Sequence, residues 1–217
     1  MAKNTIKLIW CVIFAIAMAY LESAAVIYLR LLYYPAGFQF PSVEIPLSVF
    51  LTEMGREAAT IVMIFSLARL LSRNTRERAA YFIFCFGVWD IFFYIWLKLL
   101  LNWPKNLMDW DILFLIPLSW VGPVLSPVII SLIFILSAIT ILQFESRKTP
   151  INFTTRDWLL ELSAGLIIIS SYLWETDNIL KGTKPEVYPW WLWGIGVLIG
   201  LSIFIRRILK ASSKKGY

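Results

Sequence analysis

The chain contains no histidine. That removes the commonest transition-metal ligand and the usual acid–base side chain near neutral pH. Haem ligation through His, His-bound zinc and a Ser-His-Asp triad are excluded with it. Cysteine is nearly absent. Cys11 and Cys85 are too far apart for a CxxC pair and are expected as buried free thiols. Charge is scarce as well: Asp, Glu, Lys and Arg make up 16% of the residues, against about a quarter in soluble domains. No internal repeat, low-complexity tract, phosphate-cradling loop or GxGD motif occurs.

What fills the chain instead is apolar. Hydrophobic residues account for 59% of the 217, with 11 Trp and 15 Phe among them. They fall in blocks of about 20 or more, the length needed to cross a hydrocarbon core of ~30 Å. These features predict an all-α, polytopic membrane bundle forming one integral membrane domain. Six spans are expected, at about 6–32, 47–71, 79–101, 121–143, 157–179 and 189–209. Ala17-Met18-Ala19 imitates a signal-peptide cleavage site, yet the apolar run resumes at Ala24 and continues to Tyr34, so a retained first helix is expected.

The formal charge of +6 does not point to nucleic acid, because the basic residues sit in short connections beside apolar blocks. Lys3 and Lys7 precede the first block; Arg69, Arg73, Arg76 and Arg78 surround the second connection. Arg147, Lys148 and Arg156 mark the fourth, and Arg206, Arg207, Lys210, Lys214 and Lys215 follow the last block. All share one side if both termini are cytoplasmic, which predicts a cell (inner) membrane protein of that orientation.

The segment DILFLIPLSWVGPVLSPVIISLIFILSAITILQ is too long for one straight crossing, and Pro117, Pro123 and Pro127 crowd its first half. A short interfacial or re-entrant piece over Asp111 to Trp120 is expected before the fourth span, with one kinked, tilted helix as the competing arrangement.

LTEMGREAAT (51–60) places Glu53, Arg56 and Glu57 within one stretch of the second span. Counted at ~1.5 Å per residue from Leu47, Glu53 lies ~9 Å deep and Arg56 and Glu57 ~14 to 15 Å deep. Glu22 in the first span and Asp90 in the third fall ~15 and ~17 Å from their outer ends by the same count. Asp90, Tyr94 and Lys98 share one helical face at i, i+4 and i+8. Asp109, Asp111 and Glu175 are candidates for an outer rim. An ionised group at such depth costs roughly 2.5 to 3.5 kcal/mol, so these side chains are expected to face protein or water.

Glu22, Glu53, Glu57 and Asp90 against Arg56 and Lys98 leave two negative charges in excess. Protonated carboxyls or a bound cation balance such a site. The four carboxylates are therefore candidate ligands of a divalent cation. A structural ion-pair network fixing helix register is the plainer alternative. Thr154 or Thr155 before Asp157 reads as an N-cap, and Glu161 as a helix-start residue. Trp190, Trp191 and Trp193 read as an interfacial belt, and Gly194, Gly196 and Gly200 as a close-packing face.

At REAAT (56–60), FGVWDIFFY (86–94) and DILFLIP (111–117) the chain resembles a group of bacterial multi-pass membrane proteins to which no activity is attached. The resemblance implies a membrane bundle and transfers no catalytic residue. Three functions stay open. One is binding of a cation, small polar ligand or lipid headgroup from the outer side, extending to a metal-dependent enzyme. Another is proton- or ion-coupled transport. The last is an accessory subunit of a membrane complex or oligomer. The inner halves of the spans are mostly apolar, which favours a one-sided site.

Overall fold

The computed structural model describes residues 2–43, 45–116 and 118–213. Pro117, invoked above as a helix breaker, and Lys214 and Lys215, invoked for orientation, lie outside the described residues, as does the side chain of Lys3.

Six long helices carry the fold: α1 (Ala2–Tyr33), α2 (Leu47–Leu71), α3 (Thr75–Leu101), α4 (Leu125–Ser146), α5 (Thr155–Tyr172) and, after the short α6 (Thr176–Leu180), α7 (Trp190–Ser213). Two strands, β1 (Trp110–Phe114) and β2 (Trp120–Pro123), interrupt them between α3 and α4. Five helical segments are long and apolar enough to cross a membrane; α2 has the length but carries Glu53, Arg56, Glu57 and Arg69. The chain is thus all-helical with one hairpin, and composed as a membrane protein.

Local signals set the helix ends. Asn74 caps α3 by accepting the Glu77 N–H at 2.9 Å, and Glu77 accepts the Arg73 N–H in return. α3 stops at Asn102, whose φ of 52° is the left-handed conformation that Asn tolerates. Thr154 and Asp157 form a full capping box at α5, the signal legible in the sequence.

The principal core joins α1, α3 and α4 through small residues. Cys11, Ala15, Ala19, Ala80, Cys85 and Ala138 are wholly buried, and both thiols are free. Close backbone approach replaces bulk here, as expected where lipid tails remove most of the hydrophobic drive between helices. Gly87 is the tightest point: a Cβ there would come within 2.6 Å of the Ser131 carbonyl oxygen. α5 and α7 form a second pair around Gly196, whose added Cβ would meet the Ala164 carbonyl at 2.8 Å. Of the expected glycine face, Gly196 packs closely, Gly200 lies against Glu161, and Gly194 has open space.

The segment before α4 is an antiparallel hairpin, pairing Trp110 with Pro123 and Ile112 with Val121, not a kinked extension of α4. Pro123 ends β2 where its missing N–H is harmless, and α4 starts two residues later. The hairpin lies across one end of the bundle. Trp120 stacks on Tyr172 at 6.0 Å, and Trp110 meets Tyr188 edge-on at 6.1 Å, tying the α5–α7 pair to it. Thr176 adds a hydrogen bond to the Ser119 carbonyl. At the opposite end Arg206 and Arg207 pair with the fully buried Asp157, and Arg76 with Glu145.

Candidate functional site

The charges of LTEMGREAAT (51–60) form a linear network, not one centre. Arg56 on α2 donates to Glu22 on α1 and to Glu53 one turn back at 2.8 Å. Thr60 donates to the other Glu22 oxygen at 3.2 Å. The i, i+3 and i+4 spacing of Glu53, Arg56 and Thr60 puts them on the face of α2 turned toward α1. Glu22 and Glu53 are each 9% exposed, and this network ties two helices together. Glu57 turns elsewhere. Its Oε2 accepts the Leu115 N–H at 2.9 Å, which holds the hairpin tip ten residues along α2 from Leu47.

Asp90 is separate from that group. Its Oδ2 accepts the Ser131 hydroxyl at 2.8 Å across the α3–α4 contact. Lys98 does not return to Asp90; its Nζ donates to the Pro104 carbonyl at 2.9 Å beyond the end of α3. Among the described residues no three His, Cys, Asp or Glu side chains gather as a metal site needs. The expected divalent site of Glu22, Glu53, Glu57 and Asp90 is therefore corrected. Convergence in depth is not convergence in space, because helical rotation sends Glu57 to the hairpin and Asp90 to α4.

Asp111 is no rim residue. It is 2% exposed and pairs through Oδ1 with Nη2 of Arg30 at 2.9 Å. Burial pushes its carboxyl above the ordinary carboxylate range, while Arg30, the Ile112 N–H and the Tyr94 hydroxyl pull it back down. Tyr94 is buried and packs with Leu97, Val124 and Trp103. The Arg30 guanidinium lies 3.8 Å from the Trp103 ring centroid and 4.3 Å from that of Phe38. Such faces stabilise a desolvated cation. Arg30 thereby clamps α1 to the α1–α2 connection, to the α3–β1 connection and to β1. One donor is left over: Nη1 of Arg30 is buried and has no hydrogen-bond partner.

Arg30 lines a cavity of about 730 Å³ at the hairpin end, walled by Tyr34, Phe38, Trp103 and Trp110 and edged by Lys105 and Lys184. Asp109 also lines it, but its carboxylate accepts the Lys105 and Asn106 N–H groups at 2.7 and 3.1 Å and so closes its own turn. Glu175 does similar work, accepting from Asn178 and from the Glu186 N–H.

A second cavity, of about 490 Å³, runs between the α3–α4 and α5–α7 pairs. Asp90 faces it from one wall and Glu161 from the other. Glu161 lies 3.2 Å from the position a Gly200 Cβ would take. Neither the setting of Arg30 nor that of Glu161 is legible along the chain, because each depends on neighbours the fold supplies: the Trp103 ring and Asp111 for Arg30, and a gap between helix pairs for Glu161.

The chain matches no protein-family model, no curated protein and no solved structure.

Proposed function

We propose that this chain is a six-span protein of the cell membrane, with both termini cytoplasmic, that binds a small acidic molecule from the outer side in the cavity headed by Arg30. The basic connections at the opposite end of the bundle support that orientation. The hairpin is then re-entrant, and the Glu57 carboxylate supplies the acceptor that its Leu115 N–H needs at membrane depth.

One observation carries the ligand class: the buried, unpartnered Nη1 of Arg30 on a cavity wall. A buried donor without a partner is costly, and a carboxylate or phosphate oxygen is its natural complement. Lys105 and Lys184, both exposed, add positive charge at the mouth. Trp103 and Trp110 offer faces for the rest of a small organic anion. The volume lies within the ~300–1,000 Å³ range of small-molecule sites.

The test is calorimetric titration of the purified protein in neutral-lipid nanodiscs with a panel of mono- and dicarboxylates and organic phosphates. Saturable binding to at least one, weakened about tenfold or more at low salt by Lys105→Gln/Lys184→Gln and eroded by added salt, is expected. Equal heats with neutral amide analogues would sink the reading.

A second reading, proton- or cation-coupled binding at the α1–α2 network, has its own support. Glu22 and Glu53 share the single guanidinium of Arg56, which leaves an excess of negative charge. Metal-dependent catalysis through Glu22, Glu53, Glu57 and Asp90 has no fitting ligand set among the described residues.

A further inference from the structure

The second cavity differs in charge pattern from the one headed by Arg30. Its walls come from the hairpin and from α3, α4, α5 and α7, helices that all contain segments long and apolar enough to cross a membrane. It is lined almost throughout by apolar and aromatic side chains and contains no Lys or Arg. Two carboxyls nevertheless face it. Asp90 has Ser131 as its one hydrogen-bond partner, and Glu161 has neither hydrogen bond nor ion pair among the described residues. The nearest charged neighbour acting on Glu161 is Asp157, of the same sign and already held by Arg206 and Arg207.

Buried polar groups in a native protein are normally paired, so carboxyls short of partners on one crevice mark a place for an occupant. Water is a poor candidate, since the walls between the polar points are apolar and the flanking medium is hydrocarbon.

We infer that this crevice binds a lipophilic monovalent cation, an amphiphilic amine or quaternary onium, with its hydrocarbon against the apolar walls and its charge held by Glu161. An ionised carboxylate in low dielectric is stabilised by a cation close by. The aromatic faces of Phe86, Trp120, Trp158 and Tyr172 add cation–π attraction for a desolvated onium. Gly165, on the wall with open space where its Cβ would be, and Gly200 beneath Glu161 keep the gap wide enough for such a molecule. No bond is made or broken, and entry is lateral from the bilayer, where lipophilic cations partition.

The experiment uses tetraphenylphosphonium and tetraphenylborate, ions of nearly equal size and shape and opposite sign. Each is equilibrated with the full chain in phosphatidylcholine nanodiscs, with empty nanodiscs as the blank. Saturable uptake of the phosphonium at one per chain is expected, and none of the borate above the blank. Glu161→Gln should weaken the phosphonium about tenfold or more while leaving binding in the cavity headed by Arg30 untouched, since Glu161 bonds to nothing whose loss would disturb the fold. Gly165→Trp should abolish uptake by filling the gap with every charge retained. Equal uptake of both ions, or undiminished phosphonium binding in Glu161→Gln, would show the crevice to be a gap for ordinary lipid tails and overturn the inference.

Discussion

Nη2 of Arg30 stands 2.9 Å from Oδ1 of Asp111, joining residues 81 positions apart with side chains 10% and 3% exposed. The pair fastens the end of α1 to the first hairpin strand, and the Phe38 and Trp103 rings exclude water from it. Breaking one side of a buried pair leaves an uncompensated charge, which costs about 3–5 kcal/mol. Arg30→Met is therefore expected to lower the thermal midpoint in detergent sharply. Arg30→Met/Asp111→Leu should recover most of the loss, because both charges then go together. Arg30→Lys should fall in between, keeping the charge but losing the planar stacking.

Arg56 is the one cation of the α1–α2 network, so Arg56→Met leaves Glu22 and Glu53 buried without a counter-charge. A loss of several kcal/mol is expected, reduced because the Arg56 side chain is 23% exposed. Adding Glu53→Gln to Arg56→Met should restore part of it. Chemical unfolding in mixed micelles reads both steps, and a double variant weaker than the single one would refute the network as drawn.

Glu57 matters through one acceptor atom. Glu57→Gln keeps a carbonyl oxygen for the Leu115 N–H, whereas Glu57→Ala leaves that donor unpaired at about 1–3 kcal/mol. Hydrogen exchange at Leu115 is expected to stay slow in the first variant and to accelerate in the second.

Gly194 and Gly196 are two residues apart and should respond in opposite ways to alanine. At Gly196 the new methyl would lie 2.6 Å from Ile168 Cγ1 and 2.8 Å from the Ala164 carbonyl, forcing α5 and α7 apart. At Gly194 it meets nothing within 4 Å, so Gly194→Ala is expected to be neutral or slightly stabilising. Loss of α5–α7 packing in Gly196→Ala, with a destabilisation of about 1–3 kcal/mol, is the expected contrast.

Residue order alone determined a good deal. The apolar blocks fix the existence and approximate ends of the long helices, because a backbone in hydrocarbon must satisfy its hydrogen bonds within one segment. α2 runs over the interval that hydropathy gives, Leu47–Leu71. The Thr154–Asp157 capping box and the buried free cysteines were legible for the same reason, since each depends on neighbours along the chain or on local apolarity. Counting along the helices puts Glu22 and Arg56 at a similar height, and their side chains pair.

What only the tertiary structure decided is rotation and partnership. Counting residues gives a height for Asp90 and Glu57 but not a direction, and about 100° of turn per residue sends the two away from each other. The strand pairing of Trp110–Phe114 with Trp120–Pro123 depends on contacts across a turn that proline counting alone reads as a kink. Asp111 became the partner of Arg30, and Glu161 a wall of the crevice, because long-range packing sets which surfaces meet and which stay apart. Periodicity along the chain carries no information about those distances.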